Sequence, residues 1–229
     1  MNPPAGFWRR YAAYSLDAAA IGLLCLPLLW SRLVAAGDLV MAASDELLNR
    51  LWPMLDSYSS GGDVVLWDVL DLARDPALHQ LLQAPAAGLA VLALQGTGVL
   101  VAVAAAWFIA SESSRWQASP GKRLWGLRVT DVHGGRCGRG RIALRFVAGA
   151  PSWLLLNLGH AMAGVTPGKR ALHDYIAGTR VELAPGAPAD MPRTARGWLL
   201  LQASAFAGMV GFVVMRYVQL LWEIAAGGY

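Results

Sequence analysis

The chain has 229 residues, 56% of them hydrophobic and 15% charged, with a mean hydropathy of +0.42. Soluble domains carry about 25% charged residues, so the composition excludes an ordinary water-soluble enzyme and points to an integral membrane protein. Ten tryptophans and a net charge of +4 fit that class, because indole rings favour the bilayer interface and Lys and Arg gather on its cytoplasmic side.

A spanning helix needs about 20 mainly apolar residues. Three runs qualify, at 11–36, 85–110 and 198–222. Arg9 and Arg10 precede the first run, but its length and the internal Asp17 favour a retained span over a cleaved signal peptide. Segment 37–83 carries eight acids and two bases, whereas 111–145 carries eight bases and two acids. Positively charged flanks stay in the cytoplasm. The N-terminus is therefore expected inside, 37–83 outside, and the basic 111–141 loop inside. The Ala-, Arg- and Trp-rich composition suggests a bacterial inner membrane.

Within the acidic segment, 45–55 and 63–73 alternate polar and apolar residues at helical spacing. Asp75-Pro76 then reads as a new helix start. Its acids read as a solvated helix face. Segment 127–137 reads as a small cytoplasmic β-hairpin turning at His133-Gly134-Gly135. Lys122, Arg123, Arg136, Arg139 and Arg141, with Lys169 and Arg170 further on, are suited to meet anionic lipid headgroups or a membrane or cytosolic protein partner. The two Pro-Gly-Lys-Arg stretches lack the glycine spacing of a phosphate loop.

A fourth apolar run, 142–165, includes Arg145 near its start and is interrupted by Gly149-Ala150-Pro151, so a break is expected at Pro151. A weak repeat brackets this run. Ser119-Pro-Gly-Lys-Arg123 returns as Thr166-Pro-Gly-Lys-Arg170, and Gly126-Leu-Arg-Val129 is echoed by Gly178-Thr-Arg-Val181. Two copies of one pattern belong on one side of the membrane, which favours a re-entrant or interfacial helical hairpin over a simple fourth span. The expected fold is an all-α integral membrane protein with three spanning helices plus a broken re-entrant or fourth membrane helix. Residues 1–182 form the membrane domain, and 183–229 a linker and C-terminal span.

An ionisable side chain inside a span has a partner or a task by default. Asp17 follows Arg10 by two helical turns on nearly the same face, and Asp174 is a well-placed third charge. Arg10, Asp17 and Asp174 are accordingly expected to form an intramembrane charge network. Glu112 with Arg115, and Arg216 with Glu223, read as span ends held at the interface by snorkelling. His133, His160 and His173 are scattered, and Cys25 and Cys137 offer no disulfide or zinc spacing. No metal, cofactor, catalytic constellation or nucleic-acid partner is expected.

Three blocks carry a family resemblance: Gly6-Phe-Trp-Arg-Arg10 through Asp17, Ser119 through Asp131 with Gly134-Gly135-Arg136, and Leu172-His173-Asp174 through Gly178-Thr179. In this order they resemble the RDD family of bacterial membrane proteins, named for one arginine and two aspartates. The resemblance implies that the arginine is Arg10 and the aspartates are Asp17 and Asp174. It runs over about 6–182 and leaves the last span as an addition, while the acidic outer segment looks longer than the family's connection. Membership implies a proposed role in transport, with cation/proton antiport suggested for some members. Two functions follow. One is a non-enzymatic structural or partner-docking component of a membrane assembly. The alternative is a small-ligand or cation/proton transporter, or a subunit of one, that uses Asp17 and encloses a path as a homo-oligomer.

Overall fold

Among the described residues, three helices are long and apolar enough to cross a membrane: Phe7–Pro53, Leu78–Ser113 and Arg193–Glu223. The computed structural model describes residues 2–59, 74–155 and 157–225. In chain order its elements are α1 (Phe7–Ser59), α2 (Pro76–Ser113), α3 (Pro120–Leu124), β1 (Leu127–Asp131), α4 (Arg139–Val147), α5 (Ala150–Leu154), α6 (Leu158–Val165), α7 (Leu172–Ala177), β2 (Thr179–Leu183) and α8 (Arg193–Ala225). The chain divides into two units, Ala20–Ala104 and Met1–Ala19 with Ala105–Tyr229.

The long helices overrun the apolar runs that mark them. Pro27 and Pro53 lie inside α1 and Pro85 inside α2, and membrane helices tolerate such prolines because neighbours re-satisfy the freed carbonyls. Helix α1 continues through 45–55, as the spacing there predicts; the second acidic stretch, 63–73, lies outside the described residues. Helix α2 opens at Pro76, where a missing N–H costs nothing. Within Ala20–Ala104, Leu39 of α1 packs so close to Gly88 of α2 that a Cβ there would meet it at 3.0 Å. Arg50 reaches Glu46 at 2.9 Å and Asp75 at 3.6 Å.

In the other unit the sheet is not the local hairpin. Strand β1 pairs antiparallel with β2, from Leu127 opposite Leu183 to Asp131 opposite Thr179. A tight turn does follow β1, where the Asp131 Oδ1 accepts the His133 and Gly135 N–H groups at 2.9 and 2.8 Å. The chain beyond it, Gly-Gly-Arg-Cys-Gly, is poor in strand formers and passes into α4. The repeat supplies the strand instead. Each copy ends in a short helix, a glycine at φ 62° (Gly126, Gly178) and a strand. Glycine adopts that left-handed turn without steric cost. On the outer side of β2, Ala5 N–H donates to Val181 O and Leu183 N–H to Pro3 O, both at 3.1 Å. Ala12, Trp125, Leu127, Val129, Ile142 and Val181 fill the core between these pieces.

The fourth apolar run is interrupted at Gly149, beside Pro151 as expected, where α4 ends at Val147 and α5 begins at Ala150, and it then bends more sharply further on. Its two arms, Arg139–Trp153 and Leu158–Val165, meet at 103°. Pro151 sits in the first turn of α5, again a position that needs no N–H. The reversal falls after Trp153, where Asn157 takes a left-handed φ of 63°.

Candidate functional site

Phe7, Arg10, Tyr11 and Tyr14 fall at i, i+3, i+4 and i+7 of α1, one helical face. Phe108 and Glu112 are one turn apart on α2. These residues meet α3, α4, α6 and α7 around a cavity of about 100 Å³.

Beside this cavity a row of alternating charges runs through five helices. Arg10 Nη2 donates to Asp174 Oδ2 at 2.5 Å. Arg145 pairs with Asp174 Oδ1 through Nη1 and with Glu112 Oε2 through Nε, the latter at 3.2 Å. Lys122 Nζ closes the row on Glu112 Oε1 at 2.6 Å. The Asp174 carboxylate also accepts the Thr179 hydroxyl at 3.1 Å and the Ala171 N–H at 3.0 Å. Burial works to raise the Asp174 carboxyl, but the guanidiniums of Arg145 and Arg10 outweigh it and hold it well below the usual carboxylate range. Burial, then the charge of Arg145, push His173 the other way from a charged ring, well below the ordinary histidine value.

Asp17 stands apart from this row. Its carboxylate accepts the Ser119 hydroxyl, the Gly121 N–H at 2.8 Å and the Trp107 Nε1–H at 3.1 Å. It thus ties α1 to the start of α3 and to α2, and among the described residues it takes no ion pair. Gly121 is required by this approach, because a Cβ would run into the Ala13 carbonyl and sit 3.0 Å from the Asp17 carboxyl carbon. Arg9 is also buried, with its Nε on Trp125 O at 2.7 Å and its Nη1 on Pro188 O at 2.7 Å.

The basic residues expected at lipid or partner surfaces separate into two groups. Arg123, Arg136, Arg139, Arg141 and Lys169 are exposed. Arg123 stacks over Trp116 at 4.1 Å, and Arg136 donates to Ser113 O at 2.8 Å. Arg170 is half-buried and donates to Thr179 O and Asp174 O at 3.1 and 2.8 Å. Lys122 is buried on Glu112 and is no surface contact. The snorkelling pair is likewise revised: Glu112 turns inward to Lys122 and Arg145, while Arg115 lies over Trp116 at 5.3 Å.

Residues 4–178 match the RDD family. The chain belongs to that family, which comprises bacterial membrane proteins. No curated protein and no solved structure matches the chain. The RDD match contains Arg10, Glu112, Lys122, Arg145 and Asp174, so the whole charge row lies inside it, and α8 lies outside. Three members of the row escape a reading by sequence, Lys122 among them because it reads as a surface cation. Glu112 comes at the end of an apolar run and looks like a span terminus, and Arg145 looks like the start of the next. The signal available was the rule that an ionisable group at membrane depth has a partner: Glu112 and Arg145, an acid and a base at the edges of two apolar runs, answer each other.

Proposed function

We propose that this RDD protein is a non-enzymatic component of a bacterial inner-membrane assembly, built to present its basic face to anionic lipid and to a partner. The observation that carries this reading is how the buried charges are used. Glu112 and Asp174 are each paired with two cations, and Asp17 holds three hydrogen-bond donors. Carboxylates fixed in this way brace helices together. The exposed cations Arg123, Arg136, Arg139 and Lys169, with Arg141 held only loosely on Asp131 at 3.9 Å, are then available to headgroups, at about 1 kcal/mol each near an anionic surface.

The pairing of β1 with β2 supports a topology for this role. Backbone-paired strands share one compartment, and residues 3–5 bond to β2 as well. The N-terminus, 127–131 and 179–183 then lie on one side, reached by an even number of crossings through α1 and α2. The bent α4–α6 segment leaves and returns on that side, as a re-entrant element, and only α8 crosses afterwards. The positive charge of 111–145 makes this side the cytoplasm and puts 37–83 outside.

The transport reading keeps one observation in its favour, the cavity beside the charge row. Ion flux in sealed proteoliposomes separates the two. The docking role expects no flux under sodium, potassium or proton gradients. It also expects Arg123→Glu/Arg139→Glu/Arg141→Glu to lose in-membrane cross-links at unchanged yield. Flux in wild type that disappears in a well-folded Asp17→Asn variant overturns it and makes Asp17 a coupling group.

A further inference from the structure

The cavity holds more positive charge than its carboxylates answer. Arg10, Lys122 and Arg145 line it with Glu112, and Asp174 is paired behind Arg10 and Arg145. At this wall three cations therefore share two carboxylates among the described residues; Asp17, the next buried carboxylate, is held by Ser119, Gly121 and Trp107 and does not line the cavity. Lys169 and Arg170 are exposed or half-buried and solvated, so they do not enter this balance. Buried Arg9 is held by backbone carbonyls away from the cavity. The two imidazoles at the wall, His160 and His173, lie 4.8 Å apart and tilted by 53°. Among the described residues neither Nδ1 has a hydrogen-bond partner, although buried polar atoms are nearly always satisfied.

The rest of the wall is aromatic. Tyr14 stacks on Phe108 at 6.4 Å and meets His160 at 5.5 Å, and Phe146 packs edge-on to Trp153 at 5.5 Å. A wall of this kind, with one unanswered positive charge and unpartnered ring nitrogens, suits a ligand with one charged end and a short apolar body. Size narrows the class further. A cavity of about 150 Å³ takes benzene, so the 100 Å³ here has room for about four or five non-hydrogen atoms by the same scaling.

We propose that this cavity binds a small organic monoanion, a carboxylate of two or three carbons, whose charge completes the Arg10–Arg145–Lys122 group and whose alkyl end rests among the aromatic rings. The inference stands apart from the docking role, since a bound anion can be a structural ligand as readily as a cargo.

Propionate is the probe, titrated into purified protein in micelles at constant ionic strength in a sulfate buffer. Heat of binding and melting temperature are followed together. Saturable binding of propionate is expected, with propionamide, of the same size and no charge, at least about tenfold weaker. Hexanoate is expected to bind more weakly than propionate because it outgrows the cavity. Ala163→Leu fills the space while leaving every charged side chain of the lining in the sequence, and is expected to abolish the propionate response. Should that variant not fold, Trp153→Phe serves instead, since it should erase a propionate-dependent change in tryptophan emission. Equal binding of propionamide, an equal response to chloride, or no saturable propionate binding by wild type overturns the proposal.

Discussion

Val129 and Val181 occupy the same place in two copies of one sequence pattern, and they face each other in the middle of the antiparallel β1–β2 register. The pairing gives the short repeat a local two-fold relation: helix, left-handed glycine and strand on one side, the same on the other. Each copy also delivers a charged group to the interior. The first brings Lys122 from α3, and the second brings Asp174 from α7. The sheet is the fixture on which two members of the charge row, Lys122 at its end and Asp174 within it, are mounted.

Asp174→Asn is expected to destabilise more than Asp17→Asn. The first leaves Arg145 and Arg10 facing a neutral amide in a buried site, a loss of about 3–5 kcal/mol when one partner of a buried pair goes. The second keeps an oxygen that can still accept from Gly121 and Trp107, and costs about 1.5–3 kcal/mol as weakened bonds to a charged acceptor. Thermal melting of both variants in the same detergent checks the order, and an Asp17→Asn melting temperature at or below that of Asp174→Asn contradicts it.

Gly121→Ala is expected to lower the melting temperature, at an overpacking cost of about 1–3 kcal/mol, because the new methyl meets the α1 backbone at Ala13 rather than a flexible side chain. Gly140→Ala makes the control. That residue lies in the first turn of α4 with open space around it, and the change should gain part of the roughly 0.5–1 kcal/mol that a mid-helix glycine costs. Opposite signs for the two alanines are the expected result.

These contacts show what could and could not be read from the chain. The spans are legible because apolar length is a property of consecutive residues, and Pro76 marks a helix start by local chemistry alone. Pairing of β1 with β2 is a contact between distant segments, and nearby His133-Gly134-Gly135 offers a turn that suggests a local partner. The repeat of Gly126-Leu-Arg-Val at Gly178 was the clue to the true one. Arg10 and Asp174 can be matched as the opposite charges left over near apolar runs. Asp17 misleads in that matching, because a carboxylate is satisfied as well by a hydroxyl, an amide and an indole as by a guanidinium, and spacing cannot tell these apart.

Stability is expected to fall as pH drops from about 7.5 to 5, through His173 rather than Asp174. The His173 ring is held neutral by burial and Arg145, so below its unfolded value of about 6.5 the unfolded chain binds a proton that the folded one does not. Stability then decreases toward acid at up to about 1.4 kcal/mol per pH unit for one proton. Asp174 has its folded value depressed; its contribution is present above the unfolded value of about 3.9 and fades only in stronger acid. Melting curves across this range should flatten by about one proton in His173→Gln, and an unchanged slope would sink the assignment.

The facing valines also permit a test of register and sidedness in one experiment. Ala184 N–H donates to Gly126 O at 2.8 Å, while Val129 N–H goes to Gln117 O. That pattern makes Leu127–Leu183 and Val129–Val181 the pairs that do not exchange hydrogen bonds, whose Cα atoms approach to about 4.5 Å. This lies within the span a disulfide accepts. Val129→Cys/Val181→Cys, with Cys25 and Cys137 changed to serine, is therefore expected to cross-link when purified protein is oxidised. A pairing slipped by one residue would put the new thiols on opposite faces and prevent it. In living cells the same variant should stay reduced, because a sheet on the cytoplasmic side is kept so by cellular thiols. A disulfide formed without added oxidant would place the sheet outside and reverse the proposed topology.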